Sequence, residues 1–346
     1  MGMRLDQWAP AAVPALAVSW LVVAPSCGGD DNGGAPLDAG ADLSSDASDG
    51  GLAAPVFLAH FDNSHLPEGL WKLGDAGPPV VGFTTLGTLA TVTPAGGWQP
   101  FATVAAAMAS NSNTLGITTD ANGNVYVGVG SFTTDAGPIP PPGIYMLAPT
   151  GGRGTLFSSA PGMNFPNGLE FVGNTLFVAD SGGAIYTVDA TGSASMWSAD
   201  PLLYPEAAAC GGAEPGPVGA NGIVHDANNV YLTNSNHGWI VEIPILSDGR
   251  AGAAMKIVDD CALAGADGLV LDTKDNTLLV AVNVQNKIVR VSMDGSMSTI
   301  AAGAPLDFPA SVIIDSAGGS RRLLFTNLAL ASGQAGRPGL LAMPIP

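Results

Sequence analysis

A short string, X-Gly-(Leu/Ile), comes back five times along this chain: Glu68-Gly69-Leu70, Leu115-Gly116-Ile117, Asn167-Gly168-Leu169, Asn221-Gly222-Ile223 and Asp267-Gly268-Leu269. A degenerate sixth copy stands at Ala310-Ser311-Val312. Successive first positions are 47, 52, 54, 46 and 43 residues apart. A period near 50 residues holds about four short strands and their turns, the content of one propeller blade. The interior of each period agrees with that reading. The third copy offers four apolar runs, 167–172, 174–180, 184–189 and 193–199, each bounded by turn residues. The fourth and fifth copies repeat the same order, and no run is long enough for a helix of ten residues or more.

The last period is one strand short: runs at 312–315, 322–327 and 339–344 are followed by the end of the chain. An apolar run at 54–61 precedes the first copy and has no other evident partner. Pairing the two would close the ring and remove an exposed sheet edge. The expectation is an all-β chain, a six-bladed β-propeller of four-stranded blades over residues 54–346, closed by its N-terminal strand; a β-sandwich array is the rival. Gly 47 and Pro 27 among 346 residues favour turn-rich β structure over long helices. With 47% apolar residues the chain has material for a sizeable core.

Residues 1–27 carry the marks of an export signal: one base, Arg4, an apolar stretch from Trp8 to Ala24, and small residues ahead of Cys27. Pro10, Pro14 and Pro25 interrupt that stretch, whereas a membrane span needs about 20 apolar residues; a retained anchor is the alternative. The run Ala24-Pro25-Ser26-Cys27 resembles a bacterial lipobox, which implies lipidation of Cys27, a place in the periplasm or at the cell surface, and membrane contact only through the anchor. Residues 28–53 form an acidic Gly/Asp/Ser spacer with no base, too polar to fold and extended by its own charge. Lys+Arg 11 against Asp+Glu 29 leaves a net charge of −18, which repels a phosphate backbone and attracts cations. Nucleic acid is therefore not an expected partner.

Cys210 and Cys261 fall in the linkers that enter adjacent blades. An exported chain meets an oxidising compartment, and closing a loop of about 50 residues contributes roughly 4 kcal/mol in the chain-entropy model. A Cys210–Cys261 disulfide is expected, with two free buried thiols as the other arrangement; the spacing is not that of a zinc site.

In a propeller the innermost strand of every blade lines the axis, so the first repeat position should recur around one rim. That position reads Glu68, Leu115, Asn167, Asn221, Asp267, Ala310. Two carboxylates and two amide oxygens make a hard donor set without thiolate or imidazole, which suits one central Ca²⁺ and balances its charge. The competing reading is that Asn and Asp open strands because they suit turns. It accounts for Asn167, Asn221 and Asp267 singly but not for Glu68.

The strings Leu66-Pro67-Glu68-Gly69-Leu70, Phe165-Pro166-Asn167-Gly168-Leu169, 220–226 and 266–272 resemble the senescence marker protein/gluconolactonase (regucalcin-like) propellers, together with diisopropyl fluorophosphatase and the paraoxonases. The resemblance extends over about residues 54–346. It implies a central divalent cation, usually Ca²⁺, held by Glu68, Asn167, Asn221 and Asp267, a ligand pattern most like that of the fluorophosphatase. It further implies hydrolysis of a lactone, aryl ester or phosphotriester, a small-molecule substrate and a monomer, with Asp267 as base or nucleophile and Glu68 as the second catalytic carboxylate. Ala310 and Ser311 stand where some relatives place a functional His, so a His-assisted mechanism is not expected. A non-catalytic exported lipoprotein, with a structural Ca²⁺ and a rim that binds a ligand or protein, is the opposing class.

The ends of the second strands should return to the same rim, and they read Asp180, Asn234, Asn283 and Asn327. These four and the loop residue His237 are candidates for substrate or for hydrogen bonds to the cation ligands. The Pro-rich insertion at 133–143 is expected to shape the pocket mouth. No phosphate-cradling Gly-rich loop and no Gly-x-Ser-x-Gly nucleophile elbow is present.

Overall fold

The structure, a computed structural model, describes residues 54–345 apart from 75, 105–111, 132–139, 215, 317–318 and 331–336. The chain divides into Met1–Leu37 and Asp38–Pro346, and every described residue belongs to the second unit. The expectations for the export signal, Cys27 and the spacer lie outside the described residues.

After β1 (Val56–His60) the chain runs through successive four-strand meanders. The first is β2 (Pro67–Lys72), β3 (Pro79–Phe83), β4 (Thr88–Val92) and β5 (Trp98–Thr103), and the second β6 (Ser112–Thr119), β7 (Val125–Ser131), β8 (Gly143–Ala148) and β9 (Gly151–Ser158). Then come β10 (Pro166–Val172), β11 (Thr175–Asp180), β12 (Ala184–Val188) and β13 (Ala194–Ser198), and β14 (Ala220–His225), β15 (Asn229–Asn234), β16 (Trp239–Pro244) and β17 (Met255–Asp259). The chain continues with β18 (Ala266–Asp272), β19 (Thr277–Val282), β20 (Lys287–Ser292) and β21 (Met297–Ala302), and ends with β22 (Pro309–Asp315), β23 (Arg322–Asn327) and β24 (Gly339–Pro344). One-turn 3₁₀ helices at Pro201–Leu203, Ala209–Gly211 and Cys261–Leu263 lie in linkers.

The all-β, propeller-like architecture expected from the repeat is present. The division into sheets differs from six separate ones: four sheets have four strands, and the first two meanders share one eight-stranded sheet. Its halves meet through a short parallel contact of β5 with β9, Ala102 opposite Gly152 and Thr103 opposite Arg153. Glycine makes that approach possible, because a Cβ on Gly151 would stand 2.1 Å from the Phe101 carbonyl oxygen. β1 pairs antiparallel with β24, with Val56 opposite Ala342 and His60 opposite Gly339.

Apolar side chains meet between consecutive meanders rather than within one. Val224, Tyr231 and Ile240 pack on Leu269, Leu278 and Val289, and Leu279, Ala281 and Ile288 pack on Leu323, Phe325 and Leu341. The series returns on itself, since Leu70, Val81 and Phe83 of the first meander share a cluster with Leu324, Leu340 and Ala342 of the last. Middle strands are accordingly buried on both faces; all six residues of β19 are buried.

The repeated Gly explains how the inner strands come together. A Cβ on Gly69, Gly116, Gly168 or Gly222 would stand 2.2, 2.1, 2.3 or 2.5 Å from the carbonyl oxygen of Leu115, Asn167, Asn221 or Asp267 respectively. Each motif glycine is thus the seat for the first motif residue of the next inner strand. The glycine is there for close approach and not for a turn.

Candidate functional site

The register between inner and second strand slips at every copy of the motif, between Pro67 and Leu70, Thr114 and Ile117, Pro166 and Gly168, Ala220 and Ile223, Ala266 and Leu269, and Pro309 and Val312. A bulge turns one side chain out of the pleat. Here it falls on the X-Gly pair. Glu68, Asn167, Asn221 and Asp267 sit within strands rather than turns and are all buried. Leu115 and Ala310 supply the apolar members of the series and are buried too.

The amides are oriented by hydroxyls at the ends of the second strands. Ser235 Oγ donates to the Ala266 carbonyl at 2.6 Å and accepts from Asn221 Nδ2 at 2.9 Å. A hydroxyl has one hydrogen, so toward Asn221 it can only accept, and it holds the amide nitrogen rather than the amide oxygen. Asn167 Nδ2 donates to Ser181 Oγ at 3.3 Å.

The carboxylates feel one another. Glu68 is held well above the usual carboxylate range, first by burial and then by the negative charges of Asp267 and Glu214. Burial pushes Asp267 up to about 7, against the lowering effect of amide hydrogen bonds from Asn283 and Asn221. Glu214 is pushed up to about 8 by burial and by Asp267. Glu68 and Asp267, 199 residues apart in the chain, therefore share one electrostatic site with a third acid from the linker ahead of β14. Among the described residues no three His, Cys, Asp or Glu side chains stand close enough to hold an ion on their own. Any cation here also needs the amide oxygens.

The other expected residues separate into two groups. Asn283 Nδ2 reaches Asp267 Oδ2 at 3.3 Å, so it touches the site. Asp180, Asn234 and Asn327 instead brace linkers. Asp180 accepts from the Phe165 and Gly182 amides, Asn234 Nδ2 donates to the Leu202 and Tyr204 carbonyls, and Asn327 Nδ2 donates to those of Pro305 and Arg337. His237 stacks on Trp239 with ring centroids 3.8 Å apart and has Nε2 3.6 Å from Glu206. Cys210 and Cys261 form a disulfide. Most of the Pro-rich insertion lies outside the described residues.

Below the motif residues, Leu70, Ile117, Leu169, Ile223, Leu269 and Val312 line an axial cavity of about 220 Å³, and none of the four oxygen-bearing residues lines it. Glu170 and His225 do, paired at 2.8 Å; burial pushes Glu170 up, and the Glu170 hydrogen bond pushes His225 up.

Sequence reasoning overlooked Ser181, Ser235 and Glu214. The two serines carried a signal, since each directly follows a strand-ending polar residue, Asp180 or Asn234. Glu214 carried none, because its position depends on how a long linker folds.

No family model and no curated protein matches this sequence. Solved structures do match by shape. A calcium-binding protein, regucalcin, from Agrobacterium tumefaciens str. C58 superposes with a TM-score of 0.60 at 16% identity, over 85% of this chain and 94% of its own. A gluconolactonase from Xanthomonas campestris gives 0.59 at 14% identity, over 85% and 90%. A luciferin-regenerating enzyme gives 0.59 at 14%, over 85% and 95%. At these identities the likeness is one of fold.

Proposed function

We propose that this chain is a Ca²⁺-dependent hydrolase that opens a lactone or related ester at the rim formed by Glu68, Asn167, Asn221 and Asp267. The observation that carries the reading is the burial of two like-charged carboxylates in one motif series with two buried amides whose nitrogens are bonded to serine hydroxyls. Without a counter-charge, enclosed carboxylates raise one another's pKa at a cost in stability; a divalent ion removes that cost. Oxygen donors of this kind suit Ca²⁺ at about 2.3 to 2.6 Å, with water completing 6 to 8 ligands. The fold shared with a calcium-binding regucalcin and a gluconolactonase supports the same choice. The finer architecture belongs to this reading: the eight-stranded sheet counts as two blades joined at an edge, making six, with β1 closing the ring.

Bound Ca²⁺ would supply Lewis-acid polarisation of the substrate carbonyl. In this reading Asp267 takes the proton of an attacking water. The new bond joins water oxygen to the acyl carbon, the ring C–O bond breaks, and the proton passes from Asp267 to the departing alkoxide. The Asn283 amide fixes Asp267 Oδ2 during this exchange. A carboxylate that also ligates a cation is a weak base. The objection is smaller for direct attack by Asp267 on the acyl carbon, in which the ring C–O bond breaks, the departing alkoxide takes a proton from water, and the hydroxide left behind cleaves the Asp267–acyl anhydride to free the carboxylate. We further assign residues 1–27 to export with lipidation at Cys27, residues 28–53 to the tether, and the mature protein to a monomer in the periplasm or at the cell surface. Fatty-acid labelling that persists in Cys27→Ala would end that assignment.

One observation favours the non-catalytic reading. None of the four histidines serves the rim: His60 stacks on Phe57, His65 meets Asp62, His225 meets Glu170 and His237 stacks on Trp239. Calcium titration beside a panel of lactones, aryl esters and phosphotriesters separates the two. Calcium-dependent lactone opening that is lost in Glu68→Gln is the expected result; tight Ca²⁺ binding with no turnover across the panel would establish the scaffold.

A further inference from the structure

The linker between β13 and β14 runs from Ala199 to Gly219, whereas the corresponding linkers ahead of β10, β18 and β22 span 159–165, 260–265 and 303–308. The extra length is not loose. Upstream it is tied by the Cys210–Cys261 disulfide to the linker that leads into β18 and Asp267. Downstream, buried Asn236 holds it at both ends of its amide, donating to the Gly216 carbonyl at 2.9 Å and accepting from the Val218 amide at 3.0 Å. Between the two ties stands Glu214, 6% exposed. Its Oε2 is buried with no hydrogen-bond partner among the described residues.

Such a group is costly. A buried carboxylate oxygen with no donor forfeits its hydration without return, and the charges that interact with this one, Asp267 and Glu68, have the same sign. Among the described residues no Lys, Arg or His is among the groups acting on Glu214, Glu68 or Asp267. A carboxylate that served packing or hydrogen bonding would face a donor. This one has the charges of the other two acids acting around it instead, and the arrangement becomes favourable when a cation enters.

We infer that Glu214 is an additional carboxylate ligand of the axial cation, brought to the rim by the disulfide-anchored linker; the inference rests on the cation site proposed above. Glu68, Asn167, Asn221 and Asp267 offer four oxygen-bearing side chains, fewer than the 6 to 8 ligands Ca²⁺ takes. Glu214 raises the protein's charge at the site from −2 to −3, and ligand charge is a main determinant of Ca²⁺ affinity. Among the described residues the three carboxylates do not close to ligating distance as a trio, so the proposed ligation requires the Glu214 side chain to change position.

Calcium chloride titrated calorimetrically into chelator-stripped, full-length, oxidised protein tests this, with thermal unfolding of every variant recorded in chelator and in excess Ca²⁺. Glu214→Gln is expected to weaken Ca²⁺ binding by about 10- to 100-fold and to raise the melting temperature in chelator, where only repulsion is removed. Should that variant not fold, Glu214→Asp keeps the charge but shortens its reach, and is expected to bind more weakly as well. Affinity within twofold of wild type in Glu214→Gln or Glu214→Asp, beside loss of binding in Glu68→Gln, would overturn the role of Glu214 and leave the cation site standing. Wild-type protein that takes up no Ca²⁺ would end both.

Discussion

The first and second residues of the repeated motif have different tasks, and substitution separates them. At Gly168 an added Cβ would meet the Asn221 carbonyl oxygen at 2.3 Å and the Ile223 amide nitrogen at 2.9 Å, both backbone atoms that cannot rotate away. Gly168→Ala should therefore cost about 3 kcal/mol, the upper end for overpacking, and move Asn221 with it. At Gly97 the nearest atom is Thr93 Oγ at 3.4 Å, so Gly97→Ala should stay within about 0.5 kcal/mol. Urea unfolding of the two variants checks the contrast, and equal losses would show that the motif glycine is not a seat for the next strand. The sequence displayed these glycines without their reason. Recurrence is visible in one dimension, whereas a carbonyl pressing from another blade is not. The same holds for the neighbours of the oxygen-bearing residues: Asn283 reaches Asp267, while Asp180, Asn234 and Asn327 at matching positions hold linkers. Strand-end position was legible; which backbone atoms a polar head finds there depends on the linker packed above it.

Among the elements, the strands themselves were the most legible part, because alternating apolar runs between Gly, Asn and Asp turns specify them locally. Pairing between distant elements was legible only where a strand had no other partner. β1 was one such case, and it lies against β24. Deleting residues through His60 would leave β24 with a row of unpaired backbone groups, and exposed edges associate. Size-exclusion chromatography with light scattering should show oligomers of the truncated protein; a well-behaved monomer would mean that β24 needs no cover. The β5 to β9 contact had no such signal, since it depends on the left-handed backbone of Gly151 and Gly152, at φ 81° and 99°. The disulfide closes a loop with a sequence separation of 51 residues. Replacing both Cys210 and Cys261 by Ser should lower stability by about 4 kcal/mol on the chain-entropy account. It should also weaken Ca²⁺ binding, since Glu214 loses its upstream tie. An unchanged unfolding midpoint in urea would contradict the first statement, and an unchanged calcium affinity the second.

For the whole molecule, the convergence of Glu68, Asp267 and Glu214 fixes how stability should respond to pH. Asp267 at about 7 and Glu214 at about 8 hold their protons more tightly when folded than carboxyls do in an unfolded chain, and Glu68 is shifted in the same direction. Between about pH 4 and about pH 8 the native state therefore binds more protons than the unfolded state, and stability falls as pH rises. The contribution is fully present below the unfolded values near 4, and is lost as pH passes through 7 and then 8. In chelator, the melting temperature of wild type should drop across this window more than that of Asp267→Asn, a comparison that cancels the opposite slope of exposed acids such as Asp189 and Asp248, whose hydrogen bonds hold them low. On the proposed cation site, calcium should invert the behaviour. An ion that takes the place of those protons binds more tightly as pH rises, and at about 100 times its dissociation constant it adds about 2.7 kcal/mol. The calcium-induced rise in melting temperature should accordingly be small near pH 5 and large near pH 8. A net charge of −18 would draw cations to the surface in any case, but that general attraction is screened at about 0.15 M salt, whereas the buried site is not. A calcium effect that is independent of pH and vanishes with added salt would therefore mean that the three acids do not share an ion.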